Sequence, residues 1–207
     1  MKKDLVELVF VVDRSGSMSS IASDMEGAIK SVIKDQKKLD KEILVTFVRF
    51  DTEYEKVFSH TPIKDVPEIN IKARGMTALL DAMGKTINSF EREFSEKEDK
   101  ERPEKVLFMV ITDGCENSSR EFSREKVFGM IETVKRDHKW DFTFIGANQD
   151  AIAEGGNLGI NRGSSINYVA SSAGVRAMSM NLSSYATDYL SNGSASFKDK
   201  KDEEKED

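Results

Sequence analysis

Short apolar runs that alternate with amphipathic stretches are the feature that most constrains the fold of this chain. Residues 5–12, 42–50 and 105–112 are almost continuously β-branched, aliphatic or aromatic, which is typical of strands buried on both faces. Residues 141–147 and 165–171 have the same character over shorter lengths. Strand-like runs separated by amphipathic helices are the pattern of parallel βαβ units. We therefore predict an α/β domain built on a mostly parallel sheet.

The stretches between these runs have the spacing of helices. Apolar residues recur at steps of three or four within residues 20–39, 75–94, 121–140 and 172–190, as on the buried face of a helix. Residues 51–60 have turn character followed by a short strand, which predicts an antiparallel hairpin at one edge of the sheet. Right-handed crossovers then place helices on both faces. The predicted fold is a doubly wound, Rossmann-like sheet of six strands with one antiparallel edge strand.

Composition divides the chain into a domain and a tail. Charged residues make up 33% and hydrophobic residues 38% of the 207 residues, and the excess of charge is concentrated at the C-terminus. Residues 198–207 contain no apolar side chain, so they bury too little surface to offset their ordering entropy. We predict one domain over residues 1–193 and a charged, disordered tail over residues 194–207.

Charge and cysteine content argue against several classes of protein. The formal net charge is −6 and no basic block is present, which disfavours binding to nucleic acid. No run approaches the roughly 18 apolar residues that a membrane-spanning helix requires, and Asp4 and Glu7 interrupt the N-terminal run in a way that a signal peptide does not tolerate. The single Cys115 cannot form an internal disulfide, which fits a reducing compartment. We predict a cytoplasmic protein without nucleic-acid or membrane partners, of undetermined oligomeric state.

Oxygen-bearing side chains stand at three loops beside the predicted sheet. Asp13, Ser15 and Ser17 directly follow the first strand, and Thr77 precedes the core of the second helix. Asp113 follows the predicted strand at residues 105–112. In doubly wound sheets, ligands bind in the crevice beyond the carboxyl ends of the strands. Two carboxylates and three hydroxyls brought together there would suit a hard cation such as Mg²⁺ or Mn²⁺.

The set Asp13-x-Ser15-x-Ser17, followed by Thr77 and by Asp113 in a "TDG" turn, resembles the metal-ion-dependent adhesion site (MIDAS) of the von Willebrand factor type A (VWA) domain. All five residue types occur in the order of that family's motif, and the βαβ alternation agrees with its fold. The resemblance implies a VWA domain with a complete MIDAS. It also implies Mg²⁺ as the cofactor, with Mn²⁺ or Ca²⁺ as alternatives.

The resemblance further implies a role for each of the five residues. Ser15 and Ser17 would bind the cation through their hydroxyls, and Thr77 would bind it directly or through water. Asp13 and Asp113 would act directly or by holding metal-bound waters. The cation would then accept an Asp or Glu carboxylate from a partner protein. The implied function is a metal-dependent protein-binding module and not an enzyme.

Three alternatives stay open at the level of sequence. Asp13, Ser15 and Thr77 could cap helices, although capping gives no account of Asp113. The chain could be a Mg²⁺- or Mn²⁺-dependent hydrolase or phosphatase, but Ser15 stands where an aspartyl-phosphate enzyme would carry its second carboxylate, and no Ser-His-Asp set or nucleophile elbow is visible. The chain could also be a subunit of a larger stress-response, chelatase-like or phage-associated assembly.

Several other polar or glycine-rich positions are assigned structural roles. His60 and His138 share no metal-ligand spacing and are predicted to be exposed or at helix ends. Residues 155–159, "GGNLG", lack the lysine and the strand-to-helix setting of a phosphate-binding loop, so no nucleotide site is predicted. Glu116 and Asn117 are interpreted either as solvated turn residues or as contacts to a partner.

Overall fold

A computed structural model describes residues 1–197, which form a six-stranded sheet with helices on both faces. The strands are β1 (Lys2–Asp13), β2 (Glu42–Phe50), β3 (Tyr54–Pro62), β4 (Pro103–Thr112), β5 (Asp141–Gly146) and β6 (Ser165–Asn167). The helices are α1 (Ala22–Gln36), α2 (Leu79–Ser95), α3 (Arg124–His138), α4 (Ala151–Asn157) and α5 (Ser172–Asn192).

The strand order is β3-β2-β1-β4-β5-β6. All neighbouring strands are parallel except β3, which pairs antiparallel with β2 at one edge. The predicted architecture is therefore confirmed. β2 and β3 lie on one side of β1, and β4, β5 and β6 lie on its other side. The strand order therefore reverses between β1 and β4. The loops that follow these two strands open the crevice in which such folds bind ligands.

Alternate residues of β1 face two separate cores. Leu8, Phe10 and Val12 pack with α1 and α5 on one face, whereas Val9 and Val11 pack with α2 and α3 on the other. All five are buried, which explains why β1 is apolar at nearly every position and not only at every second one. Within residues 1–197, no helix combines the length and apolar character needed to cross a membrane.

The second helix begins later than its apolar periodicity predicts. α2 starts at Leu79, while residues 75–78 form a loop in which Gly75 has φ +70°. The backbone N–H of Ala78 donates to the carbonyl oxygen of Asp51 at 3.0 Å. This contact with the β2–β3 turn holds the segment out of the helix, and it leaves Thr77 in a loop at the carboxyl edge of the sheet.

The short helix α4 was not predicted, because glycines at positions 155 and 156 lower its helix propensity. A Cβ on Gly155 would lie 2.3 Å from Oγ of Ser165, so glycine is required where α4 packs against β6. Of the glycines in the "GGNLG" stretch, Gly155 thus serves helix packing, and Gly159 follows the helix with φ +80°.

The packed part of the chain extends beyond the predicted domain boundary at residue 193. The backbone N–H of Phe197 donates to the carbonyl oxygen of Gly163 at 2.7 Å, and its ring lies 4.5 Å from that of Tyr185. Residues 194–197, which we predicted as the start of the tail, therefore contact the domain. The rest of that predicted tail, residues 198–207, lies outside the described residues.

Candidate metal centre

Asp13 ends the central strand β1 and is fully buried. Its Oδ1 accepts a hydrogen bond from the backbone N–H of Ser15 at 2.6 Å, and its Oδ2 accepts one from the hydroxyl of Thr112 at 2.6 Å. Burial raises the pKa of Asp13 to about 6, because these hydrogen bonds offset only part of the desolvation and the nearby Asp113 adds a like charge. The carboxylate is thus held in one position at an electrostatic cost.

Ser17 connects the loop after β1 to the loop after β4. Its hydroxyl donates to Oδ1 of Asp113 at 2.6 Å and lies 3.1 Å from the hydroxyl of Ser15. Ser15 and Asp113 are buried, whereas Ser17 is exposed at the surface of the site. Burial also raises the pKa of Asp113, although the hydrogen bond from Ser17 counteracts it. Four of the five predicted residues therefore form one connected cluster.

Thr77 is positioned by two hydrogen bonds between its backbone and Asn117, in the loop after β4. Its N–H donates to Oδ1 of Asn117 at 2.9 Å, and the N–H of Asn117 donates back to the Thr77 carbonyl oxygen at 3.0 Å. A Cβ built on Gly114 would lie 3.4 Å from Oγ1 of Thr77 and 3.5 Å from Oγ of Ser17. The hydroxyls of the first and second loops thus approach the same point of the third loop, and all five predicted residues lie together.

An ion-pair network that the sequence analysis missed fixes the first two loops to each other. Nε of the buried Arg14 lies 2.8 Å from Oδ2 of Asp51, and Nη1 lies 2.7 Å from Oε2 of Glu55. Arg74 binds the same Asp51 oxygen at 2.8 Å. The backbone N–H of Arg74 also donates to the Arg14 carbonyl oxygen at 2.7 Å. Arg14 occupies a variable position of the motif, so its sequence context gave no signal of this role.

Helix capping does not explain the predicted residues. The residues preceding α1 and α2 are Ile21 and Ala78, and neither helix start has a side-chain cap. Ser15 precedes the short 3₁₀ turn Gly16–Ser20, and its side chain does not cap that turn either. The hydroxyls of Ser15 and Thr77 are thus not engaged in capping the helices that follow them.

The loop after β4 is organised by carboxylates that bind backbone groups. Glu116 accepts from the N–H groups of Ser118 and Ser119 and, at 3.0 Å, from that of Leu80 at the start of α2. Asp81 accepts three further N–H groups, those of residues 120–122. Asn117 is exposed and Glu116 is partly exposed, which agrees with the interpretation as solvated turn residues, and both also tie this loop to the Thr77 segment.

The two histidines have different environments. His138 ends α3, as predicted. His60 does not follow the prediction, because it lies within β3 with 19% of its side chain exposed and with each ring nitrogen 2.7 Å from a carboxylate. Those carboxylates belong to Glu7 and Glu93, so neither histidine joins the cluster around Asp13.

The donor set of the cluster is one of hard oxygen atoms. Within residues 1–197, no three His, Cys, Asp or Glu side chains come together as metal ligands, so a cation at this edge would depend on hydroxyls as well as carboxylates. Mg²⁺ and Mn²⁺ accept such oxygen ligands and retain water in part of their shell. The two carboxylates supply negative charge, and the exposed Ser17 gives the cluster access to solvent. The residues present therefore fit a divalent cation.

Comparisons with known proteins bear on the family and the fold of the chain. The sequence model of the von Willebrand factor type A domain matches residues 7–178. No curated protein sequence gives a significant match. Among solved structures, proximal thread matrix protein 1 from the mussel byssus is 15% identical with a TM-score of 0.62, over 88% of this chain and 46% of that protein. The same protein has been solved with a zinc-occupied MIDAS motif.

Two further structures extend the comparison to microbial proteins. The ArnB paralog VWA2 from Sulfolobus acidocaldarius is 18% identical with a TM-score of 0.58, over 87% of this chain and 44% of that chain. The PilB minor pilin from Streptococcus sanguinis is 12% identical with a TM-score of 0.60, over 89% of this chain and 62% of that chain. At these identities the likeness shows the fold alone. The present chain spans about half the length of proximal thread matrix protein 1 and of VWA2.

Proposed function

Since this chain belongs to the von Willebrand factor type A domain family, we propose that it is a divalent-metal-dependent module that binds a partner protein. In this proposal, Mg²⁺ is the bound ion, with Mn²⁺ and Ca²⁺ as possible substitutes. The five residues that hold it are Asp13, Ser15, Ser17, Thr77 and Asp113. A bound cation would supply an electrophilic position for an Asp or Glu carboxylate of the partner.

The hydrogen bond between Ser17 and Asp113 is the observation that carries this proposal. It joins side chains 96 positions apart in the sequence and brings the loops after β1 and β4 together at the crevice of the sheet. Asp13 holds Ser15 in place by accepting a hydrogen bond from its backbone N–H. One exposed hydroxyl, that of Ser17, beside two buried carboxylates suits a site that neutralises a cation only in part.

The surroundings of the cluster suit a protein partner. Met76, next to Thr77, is 51% exposed, and Val169, in the loop after β6, is 70% exposed. Both belong to loops at the carboxyl edge of the sheet, where apolar side chains could contact a docked chain. The protein has a formal net charge of −6, so an acidic partner would be repelled without a cation to bridge the two carboxylate sets.

Isothermal titration with Mg²⁺ tests the site directly. We expect one saturable site in the unmodified protein and its loss in Asp13→Ala and in Ser17→Ala. The first variant removes a carboxylate from the cluster, and the second removes a hydroxyl. Ser19→Ala is the matched control, since Ser19 is an exposed serine of the same turn outside the motif. Unchanged Mg²⁺ binding in both site variants would refute the assignment.

A metal-dependent hydrolase is the alternative that the site favours less. Asp13 has both oxygens engaged in hydrogen bonds and no exposed surface, so it is poorly placed to attack a substrate. Phosphatase and esterase substrates assayed with Mg²⁺ and with Mn²⁺ separate the two functions. Turnover that Asp13→Asn abolishes would favour the enzyme.

Membership in a larger assembly is compatible with the binding function. The likeness to a thread matrix protein and a minor pilin extends to the fold alone, so this possibility needs its own test. A pull-down from native lysate, with Mg²⁺ in one arm and a chelator in the other, would identify partners that depend on the cation.

A further inference from the structure

Tyr168 lies in the loop that follows β6, at the same edge of the sheet as the candidate site. Its backbone N–H donates to the carbonyl oxygen of Gly146 at 2.9 Å, which fixes the residue at the carboxyl edge of the sheet. Its side chain is 8% exposed and belongs to the same core as Val12, which precedes Asp13, and Met18, which follows Ser17. The ring thus belongs to the core that also contains the sequence neighbours of Asp13 and Ser17.

The Tyr168 hydroxyl is buried and has no hydrogen-bond partner among residues 1–197. Leaving a buried hydroxyl unpaired is unfavourable, so such groups are rare in native proteins. Tyr185, in the same core, shows the usual arrangement: its hydroxyl lies 2.8 Å from Oγ of Ser164 and 3.3 Å from Oδ2 of Asp141. The orphaned hydroxyl of Tyr168 therefore calls for a partner from outside the protein.

The two carboxylates of the candidate site act on this hydroxyl electrostatically. Burial raises the pKa of Tyr168, and the charges of Asp113 and Asp13 raise it further. Both carboxylates are therefore near enough for their charges to act on the hydroxyl, which keeps its proton at physiological pH. It is a permanent donor without an acceptor, beside a cluster that would bring in a hydrated cation.

We propose that Tyr168 is a positioning residue of the cation site, whose hydroxyl donates a hydrogen bond to a water molecule held in the shell of the bound cation. The proposal rests on the metal-binding function proposed above. It adds a contact from the loop after β6 to those from the loops after β1 and β4 and the loop before α2. Mg²⁺ and most divalent ions in oxygen sites retain such waters, and hydrogen bonds to them orient the shell.

Tyr168→Phe tests the proposal, with Mg²⁺ alone as the probe. We expect Mg²⁺ affinity, measured by titration calorimetry, to fall about five- to tenfold, the loss of one hydrogen bond. The metal-free variant should be at least as stable as the unmodified protein, because the deleted hydroxyl has no partner there. Tyr185→Phe is the matched control: it should lower metal-free stability and leave Mg²⁺ affinity unchanged.

The possible outcomes separate this proposal from the one it rests on. Unchanged Mg²⁺ affinity in Tyr168→Phe, with binding still lost in Asp13→Ala, would overturn the role of Tyr168 and leave the metal site standing. Reduced metal-free stability in Tyr168→Phe would also overturn it, because the hydroxyl would then serve the fold. Absence of Mg²⁺ binding in the unmodified protein would overturn both proposals.

Discussion

The central strand buries two carboxylates, and the protein treats them in opposite ways. Glu7 and Asp13 both lie on β1 and are both fully buried. Oε2 of Glu7 lies 2.7 Å from Nδ1 of His60, and its Oε1 accepts from the hydroxyl of Thr46 at 2.6 Å. Asp13 accepts only uncharged donors and has another carboxylate, Asp113, nearby. Glu7 is paired with a titratable base within the protein, His60, whose pKa is raised above its ordinary value, and Asp13 has no such partner.

The surroundings extend this contrast. Around His60, burial alone would raise the pKa of Glu93, but Lys56, Ser89 and His60 lower it to about 2. Around Asp13, the nearest guanidinium in sequence is that of Arg14, yet it binds Asp51 and Glu55 instead. A buried carboxylate that lacks a charged partner is costly. The difference teaches that the cluster around His60 is balanced within the protein, whereas the cluster around Asp13 has no internal cationic partner, which is the condition that the proposed cation would meet.

The largest effect should come from Glu7→Gln, which replaces a carboxylate by an amide within the His60 cluster. The amide keeps an acceptor for Thr46 but removes the charge that faces His60, so we expect the free energy of unfolding to fall by about 3 kcal/mol. Urea denaturation at pH 6 measures it. A change below about 0.5 kcal/mol would show that this buried carboxylate, like Asp13, does not depend on an internal cationic partner.

Replacing the other carboxylate, Asp13, by its amide should change the free energy of unfolding in the opposite direction. Since burial raises the pKa of Asp13 to about 6, the ionised group destabilises the metal-free fold. Because this pKa is raised, the contribution of Asp13 to the free energy of unfolding is fully present below about pH 4 and is lost as the pH rises through 6. Asp13→Asn lacks this loss, so we expect it to be about 1–2 kcal/mol more stable than the metal-free unmodified protein at pH 7.5.

Urea denaturation with a chelator present, at pH 4 and at pH 7.5, checks the Asp13→Asn prediction. The stability difference should be much smaller at pH 4 than at pH 7.5. Added Mg²⁺ should stabilise the unmodified protein and leave Asp13→Asn unaffected. A variant that is less stable at pH 7.5 without metal would mean that the charge of Asp13 is already compensated by the protein.

The sequence predicted the strand-end loops of the site because parallel strands place their carboxyl ends at one edge. The separation of the motif into three segments therefore did not hide it. The antiparallel edge strand was equally predictable from the short turn between its hairpin partners. Helix α2 was predicted four residues too early, since Gly75 and the contact of Ala78 with Asp51 break a helix that periodicity alone would extend.

The compensating partners of buried charges were not predictable from sequence. Glu7 reads as an interruption of an apolar run, and its partner His60 lies 53 positions away. Arg14 and Asp51 are likewise 37 positions apart. Pairing of this kind depends on strand order and side-chain direction, which only the folded chain defines. His60 was consequently predicted to be exposed or at a helix end, and this prediction was wrong.

A smaller effect should follow titration of His60. Burial lowers the pKa of His60, but Glu7 and Glu93 more than offset this and raise it above its ordinary value. The resulting stability is fully present below about pH 6.5 and is lost as the pH rises through the raised pKa. We expect the unmodified protein to lose on the order of 1 kcal/mol over this range relative to His60→Gln. Thermal unfolding of both proteins between pH 6 and 9 measures the difference, and parallel pH profiles would contradict it.

The smallest effect should come from Gly114→Ala at the sheet edge. The added methyl group would lie in ordinary contact with the hydroxyls of Thr77 and Ser17, so the fold should tolerate it within about 0.5 kcal/mol. The same methyl group would crowd the point where those hydroxyls meet, and we expect Mg²⁺ affinity to fall about threefold, or ~0.6 kcal/mol. Titration calorimetry and urea denaturation of the same sample separate the two effects. Equal losses of stability and affinity would show that the variant perturbs the loop as a whole.

Anomalous diffraction from crystals grown with Mn²⁺ tests the contrast between the two carboxylates most directly. We predict a single strong anomalous peak within the described domain, adjacent to Ser15 and Ser17 at the carboxyl edge of β1, and none beside Glu7 and His60. A peak beside Glu7, or no peak near the serine pair at saturating Mn²⁺, would contradict the claim that the Asp13 cluster is completed by an external cation.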